Sequence, residues 1–244
     1  MALKAPEIDK NTVPEVPWDT FLKRFHHMWR TEGNGQHLSA IGSTRSGKTT
    51  TITQVLDGRR NVVVLLTKLR DPLFPTYQKR GYKVVKNDTE WPSRDWHPKI
   101  MIHLPASGLG RDEGKRQAEM IRKVLHRVWA VGETDLYIDE IAELSDLLGL
   151  STELRTLWKE AGSSDVSLIA GTQRPSRVPL EMYSQPRFLF FWRSSNREEL
   201  KRLADMNAGD PELARQIVAQ LDRFEVLVID AWEGELVRVR PPKL

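Results

Sequence analysis

The sequence predicts an α/β fold: a mostly parallel sheet flanked by helices, with a C-terminal β-hairpin. Three observations carry that prediction. Short, nearly continuous apolar runs recur along the chain, as in parallel strands covered on both faces. Stretches with apolar residues at helical spacing alternate with them. The first such run, 37–41, passes through a glycine-containing turn straight into a helix-forming segment.

Taken in order, residues 1–17 carry Pro6, Pro14 and Pro17 and read as an extended arm. Trp18, Phe21, Leu22, Phe25, Met28 and Trp29 then recur at helical spacing, with Asp19 or Thr20 as N-cap. A helix this aromatic must cover something, either its own core or a neighbouring subunit. Arm and helix, 1–35, are set apart from the domain proper, 36–244. Strands are expected over 37–41, 61–67, 82–85, 100–104, 135–138, 166–170 and 188–192. Between them, 115–131 places Ala118, Ile121, Leu125, Val128 and Trp129 on one helical face, stopped by Gly132. Asn196 caps a helix with Glu198 and Glu199 in its first turn, and Asp210-Pro211 opens another. Residues 224–229 and 236–239, joined at Glu233-Gly234, form the hairpin.

The 244 residues are 39% apolar and 29% charged, the composition of an ordinary globular protein. No run approaches the roughly 20 apolar residues that span a bilayer, so no integral membrane segment is expected. Residues 1–11 lack the apolar core of a signal peptide. Without cysteine there is neither a disulfide framework nor a thiolate metal site, and a cytoplasmic setting is the default. The net charge of +4 leans basic without deciding between a phosphate-polymer partner and a solvated surface.

Gly42-Ser43-Thr44-Arg45-Ser46-Gly47-Lys48-Thr49 matches the phosphate-binding pattern G-x-x-x-x-G-K-[ST]. The two glycines permit a backbone that turns successive N–H groups inward, and the following helix, from Thr49 and Thr50 on, adds its positive dipole end. Lys48 neutralises β and γ phosphates, and the Thr49 hydroxyl coordinates magnesium. The pattern arises by chance in about one in a hundred chains of this length, and its place between a strand and a helix makes chance rarer still. The cofactors expected are therefore ATP and Mg2+.

The strand 135–138 ends in Asp139-Glu140. Parallel strands present ligand-binding groups at their C-terminal ends, which sets Asp139 beside the phosphate loop as a magnesium holder and Glu140 as the group that polarises the attacking water. Three candidate strands separate the two motifs. That gap suits P-loop proteins with an additional strand between the motif strands and a catalytic glutamate. The strand 166–170 leads into Gly171-Thr172-Gln173-Arg174-Pro175, where Gln173 is placed to touch the γ-phosphate or the water.

With these three motifs in this order, the sequence resembles the FtsK/HerA superfamily of DNA-translocating ATPases from about residue 36 to the hairpin. The phosphate loop, Tyr137-Ile138-Asp139-Glu140 and Leu168-Ile169-Ala170-Gly171-Thr172-Gln173-Arg174-Pro175-Ser176 carry the resemblance. It implies a RecA-like fold, a hexameric ring of identical subunits, double-stranded DNA in the central pore, Gln173 as sensor and an arginine finger from the neighbouring subunit. Related translocases commonly place an arginine shortly before Thr-Gln-Arg-Pro, where this chain has none; Arg155, Arg187 and Arg193 are the substitutes. Arg94, Lys99, Arg111, Lys115 and Arg116, in or beside loops between core strands, are the candidate DNA contacts.

The segment after Gln173 leaves no room for a nuclease domain, and no winged-helix reader is evident. The anatomy that remains looks most like a compact viral genome-packaging ATPase, whose partners would include a capsid or portal component, or a mobile-element DNA translocase. The alternatives are a virion-assembly or protein-translocating ATPase of the same superfamily and a nucleotide-dependent scaffold whose hydrolysis is incidental.

Overall fold

The structure, a computed structural model, describes residues 8–31, 35–86, 99–203, 206 and 210–242, so Arg94 lies outside the described residues. Its strands are β1 (Glu15–Val16), β2 (Leu38–Ile41), β3 (Val62–Leu66), β4 (Lys83–Val85), β5 (Lys99–His103), β6 (Thr134–Ile138), β7 (Val166–Thr172), β8 (Phe188–Trp192), β9 (Val226–Asp230) and β10 (Glu235–Val239). They form one sheet in the order β1-β10-β9-β8-β2-β7-β6-β3-β5-β4. From β8 to β4 every neighbour pair is parallel; β8–β9 and β9–β10 are antiparallel. The expected hairpin is the β9–β10 pair.

The helices are α1 (Trp18–Thr31), α2 (Lys48–Asp57), α3 (Phe74–Lys79), α4 (Arg111–Val131), α5 (Ser151–Glu160), α6 (Glu181–Ser184), α7 (Arg197–Arg202) and α8 (Pro211–Gln220). Side chains alternate across each strand, so the apolar runs feed two cores at once. Val63, Leu65, Leu136 and Ile138 face Ile121, Leu125 and Val128 of α4 and Leu154 and Trp158 of α5. Val62, Val64, Leu66 and Tyr137 face Ile52, Val55 and Leu56 of α2. α1 joins the second core: Phe25 meets Phe188 with ring centroids 4.7 Å apart, and Trp29 stacks on Phe188 at 5.6 Å. The aromatic helix therefore covers its own chain's sheet. The arm is also held, since β1 pairs in parallel with β10 and Lys10 Nζ lies 2.9 Å from Asp222 and 3.0 Å from Glu225.

Local signals set the ends of the elements. Asp210 accepts from Glu212 N and Leu213 N at the start of α8, and Glu199 N donates to Asn196 Oδ1 at α7. Gly132, at φ +72°, ends α4 and donates to Val128 O. α4 starts at Arg111, four residues before the expected 115, because Asp112 and Glu113 suit a helix's positive first turn.

Strand order identifies the inserted strand that the sequence leaves unnamed. The additional strand between β2 and β6 is β7, which follows Asp139 in sequence. The three strands between the phosphate loop and β6 in sequence, β3, β4 and β5, extend the sheet on the far side of β6.

Candidate nucleotide site

Residues 42–47 turn the chain from β2 into α2. Gly47 is the pivot, at φ +102°, and Arg45 stands at φ +61°. Gly42 is required for a different reason: a Cβ there would lie 2.7 Å from Trp192 Cβ on β8. Ser46 N donates to Ser43 O at 3.3 Å, and Gly42 N to Thr172 O at 3.2 Å, which ties the loop to the tip of β7. The first turn of α2 carries Lys48, Thr49 and Thr50. This is a backbone nest followed by a helix N-terminus, the arrangement that binds phosphate oxygens.

Lys48 is 5% exposed, and its Nζ donates to Gly42 O at 2.6 Å and Ser43 O at 3.0 Å. Burial holds its ammonium below the ordinary range, while the charges of Asp139 and Glu140 pull the other way. Thr49 Oγ1 donates to Asp139 Oδ1 at 2.9 Å, and the buried Tyr137 hydroxyl donates to the same oxygen at 2.6 Å. Two hard oxygen donors thus converge from α2 and β6. Among the described residues, no group of three or more His, Cys, Asp or Glu is arranged to hold a metal ion by itself. That donor set fits Mg2+, which takes one or two protein oxygens and completes its shell with water and substrate phosphates.

Glu140 accepts from Thr172 Oγ1 at 2.9 Å and from Gln173 N at 2.8 Å. Burial raises its carboxyl above the usual range, and these two donors together with Lys48 oppose that. The Thr44 hydroxyl donates to Gln173 Oε1, so the phosphate loop, Gln173 and Glu140 form one hydrogen-bonded unit. The tips of β6 and β7 approach so closely that a Cβ on Gly171 would lie 2.4 Å from Asp139 O.

Two clefts open on this unit. A narrow one of ≈ 150 Å³ is lined by Lys68, Glu140, Glu143, Gln173 and Arg174. A wider one of ≈ 450 Å³ beside the loop is lined by Ser43, Thr44, Trp192, Arg193, Arg223 and Phe224. The Arg223 guanidinium lies 4.7 Å over the Phe224 ring, and Phe224 holds φ +67°.

Lys48, Thr49, Asp139, Glu140 and Gln173 are therefore brought together, while the candidate arginines scatter. Arg187 is 1% exposed, bonded to Asp230 Oδ2 at 3.0 Å and Gln36 Oε1 at 3.0 Å, at the opposite edge of the sheet. Buried and paired in this way, it is poorly placed to serve as an arginine finger. Arg193 lines the wide cleft of its own chain. Arg155 is half exposed on α5, 3.7 Å from Glu181.

Among the proposed DNA contacts, Lys99 also falls at the opposite edge, donating to Asp57 O at 3.3 Å. Arg111, Lys115 and Arg116 share the first turns of α4; Arg116 is engaged by Glu113 at 2.6 Å and Lys115 by Asp112 at 3.7 Å.

Sequence reasoning missed Thr172 as a partner of Glu140, and it missed the wide cleft. The polar pair Thr172-Gln173 at the end of an apolar strand was the only local signal for the first. Nothing local marked the second, because 192–195 and 222–224 meet only through the sheet.

No family profile matches this sequence, and no curated protein matches it. Solved structures do. The DNA-packaging ATPase B204 from Sulfolobus Turreted Icosahedral Virus superposes with a TM-score of 0.62 at 17% identity, covering 86% of this chain and 100% of that one. The genome packaging NTPase B204 from Sulfolobus turreted icosahedral virus 2, in complex with AMPPCP, gives 0.64 at 14%, covering 86% and 98%. VirB4 of Thermoanaerobacter pseudethanolicus gives 0.63 at 12%, covering 85% and 89%. The chain has the P-loop ATPase fold of these proteins, over nearly their whole length.

Proposed function

We propose that the protein is an ATP-hydrolysing motor that translocates double-stranded DNA, in the manner of a viral genome-packaging ATPase. The observation that carries this reading is the bonded unit of Thr44, Gln173, Thr172 and Glu140 beside Lys48, Thr49 and Asp139. A sensor joined in this way to both the phosphate loop and the water-activating carboxylate suits coupling of hydrolysis to movement. The likeness to two packaging ATPases supports the choice of polymer.

In the mechanism, the nest at 42–47 and the α2 N-terminus hold the triphosphate, with Lys48 leaving the Gly42 and Ser43 carbonyls for the β and γ oxygens. Thr49 and Asp139 would hold Mg2+, which when bound neutralises charge between the β and γ phosphates. Glu140 orients a water against the γ-phosphorus. The water oxygen bonds to phosphorus as the bond to the bridging oxygen breaks, and the electron pair leaves on ADP. The water proton passes toward Glu140, whose burial suits it to receive one. Gln173 registers the loss of the γ-phosphate through Thr44. A ring of identical subunits, an arginine from the next subunit and a capsid or portal partner belong to the same proposal.

The test is turnover with and without double-stranded DNA at low salt. Wild type should hydrolyse ATP faster with DNA, and Glu140→Gln should lose about 10²–10⁴-fold in turnover while still binding nucleotide. Turnover indifferent to DNA would move the assignment to the protein-translocating alternative. No turnover from a protein that binds nucleotide would leave the scaffold reading.

A further inference from the structure

Beyond the motif residues, a second lysine lines the cleft that Glu140 opens on. Lys68 follows β3 in a parallel sheet in which β3 lies directly beside β6, so its Cα sits at the same edge as Asp139 and Glu140. In the strand order, the segment carrying Lys48 follows β2 on one side of β6, and Lys68 follows β3 on the other. Lys68, Glu140 and Gln173 line the same narrow cleft. The Lys68 charge is also close enough to act on Lys48, pushing that ammonium further below its ordinary range.

The backbone under Lys68 is clamped. Gln117, 7% exposed on α4, donates from Nε2 to Thr67 O at 3.0 Å and to Leu104 O at 2.8 Å. His103 Nε2 lies 2.9 Å from Lys68 O, and Leu104 N donates to Leu66 O at 3.0 Å. The side chain itself is loosely held: it is 41% exposed and reaches Glu143 Oε1 only at 3.9 Å. An ion pair so long and so exposed contributes little to stability. Glu143 begins a one-turn π-helix (Glu143–Leu147) separated from the Asp-Glu pair by two residues, with Glu143 N bonded to Glu140 O at 3.2 Å. Such turns concentrate at functional sites. A fixed root, a mobile four-carbon stem and a weak resting partner describe a cation that can change partners.

We infer that Lys68 is a further active-site cation, which leaves Glu143 to contact the γ-phosphate from the side opposite Lys48. The inference rests on the ATPase reading above. The bonds made and broken are those of the hydrolysis itself; Lys68 contributes positive charge where the three equatorial oxygens gather negative charge, and exchanges neither proton nor electron. Its contact belongs to the γ position alone, so ADP should be indifferent to it.

That selectivity gives the test. The affinity of a fluorescent ADP analogue with Mg2+ is measured with and without aluminium fluoride, which occupies the γ position. Wild type should tighten on adding fluoride. Lys68→Met should lose about tenfold or more of that tightening while binding of the ADP analogue alone stays within about threefold; Lys68→Arg should recover most of it. Glu143→Gln should keep the tightening, because it removes the charge of the resting partner and leaves Lys68 in place. Lys68→Met tightening as wild type does, or Glu143→Gln failing as Lys68→Met does, overturns the inference. A wild type that binds the analogue but never tightens counts instead against the ATPase reading.

Discussion

At the N-terminal ends of the central strands, Arg59 meets Asp135 at 2.8 Å and Arg187 meets Asp230 at 3.0 Å, all four side chains buried. Each guanidinium also lies over an aromatic ring, Arg59 over Trp29 at 4.6 Å and Arg187 over Trp232 at 4.6 Å. At the C-terminal ends of the same strands, Lys48, Asp139 and Glu140 are gathered without one ion pair among the described residues. They bond to carbonyls, hydroxyls and an amide N–H. One edge spends its charges on each other and becomes structure. The other keeps Lys48 apart from Asp139 and Glu140 on neutral partners, so that a ligand of matching charge finds them available.

That contrast can be broken at several points. Arg59→Met strands Asp135, whose carboxyl burial already holds above its usual range. It should cost about 3–5 kcal/mol, with a fall in Tm of about 6–20 °C. Replacing both residues with apolar ones of similar volume should recover much of the loss. A single variant within about 1 kcal/mol of wild type would show that this edge is not structural in the sense described.

His37, at the same edge, accepts from Leu168 N through Nδ1 at 2.9 Å, and burial lowers its pKa to about 4 from 6.5. The folded protein therefore keeps the ring neutral where the unfolded chain binds a proton. Stability is full above pH 6.5 and should fall by about 3 kcal/mol as pH drops toward 4. Denaturant midpoints across that range should show the slope in wild type and a flatter limb in His37→Asn. An identical limb in both would assign it to other groups.

The smallest effect has the opposite sign and comes from the nucleotide edge. Lys48→Met removes a buried ammonium that has no carboxylate bonded to it. In the absence of nucleotide it should stabilise the protein by about 1 kcal/mol, raising Tm by about 2–4 °C, while abolishing nucleotide binding. A lower Tm would mean that the Gly42 and Ser43 carbonyls offset the burial of the charge.

What the sequence disclosed follows the same division. Lys48 and Thr49 were legible from the spacing of the phosphate-loop glycines and lysine, and Asp139, Glu140 and Gln173 because each follows an apolar run, where a strand must deliver its last polar residues to one edge. The caps Asn196 and Asp210 were legible because they act within three residues. β1 was not: two residues of strand are defined only by pairing with β10, more than two hundred residues on. The identity of the inserted strand was also hidden, because periodicity records that a strand exists and not who its neighbours are. Thr172 becomes a partner of Glu140, and Lys68 a neighbour in the same cleft, only once β3, β6 and β7 are known to be adjacent. Arg187 failed as a finger for the converse reason: its partner Asp230 is brought to it by the β8–β9 pairing.

The contact between Gly171 and the Asp139 carbonyl has a consequence for tracing descent. With a Cβ position 2.4 Å from backbone, no side chain enters at 171 unless two strands part and the carboxylate beside them moves. A substitution there is punished through geometry, whatever ligand the site takes. For a chain that no family profile captures, the glycine before Thr172-Gln173, read together with Asp139-Glu140, is thus a mark by which distant kin can be sought where overall identity has worn away.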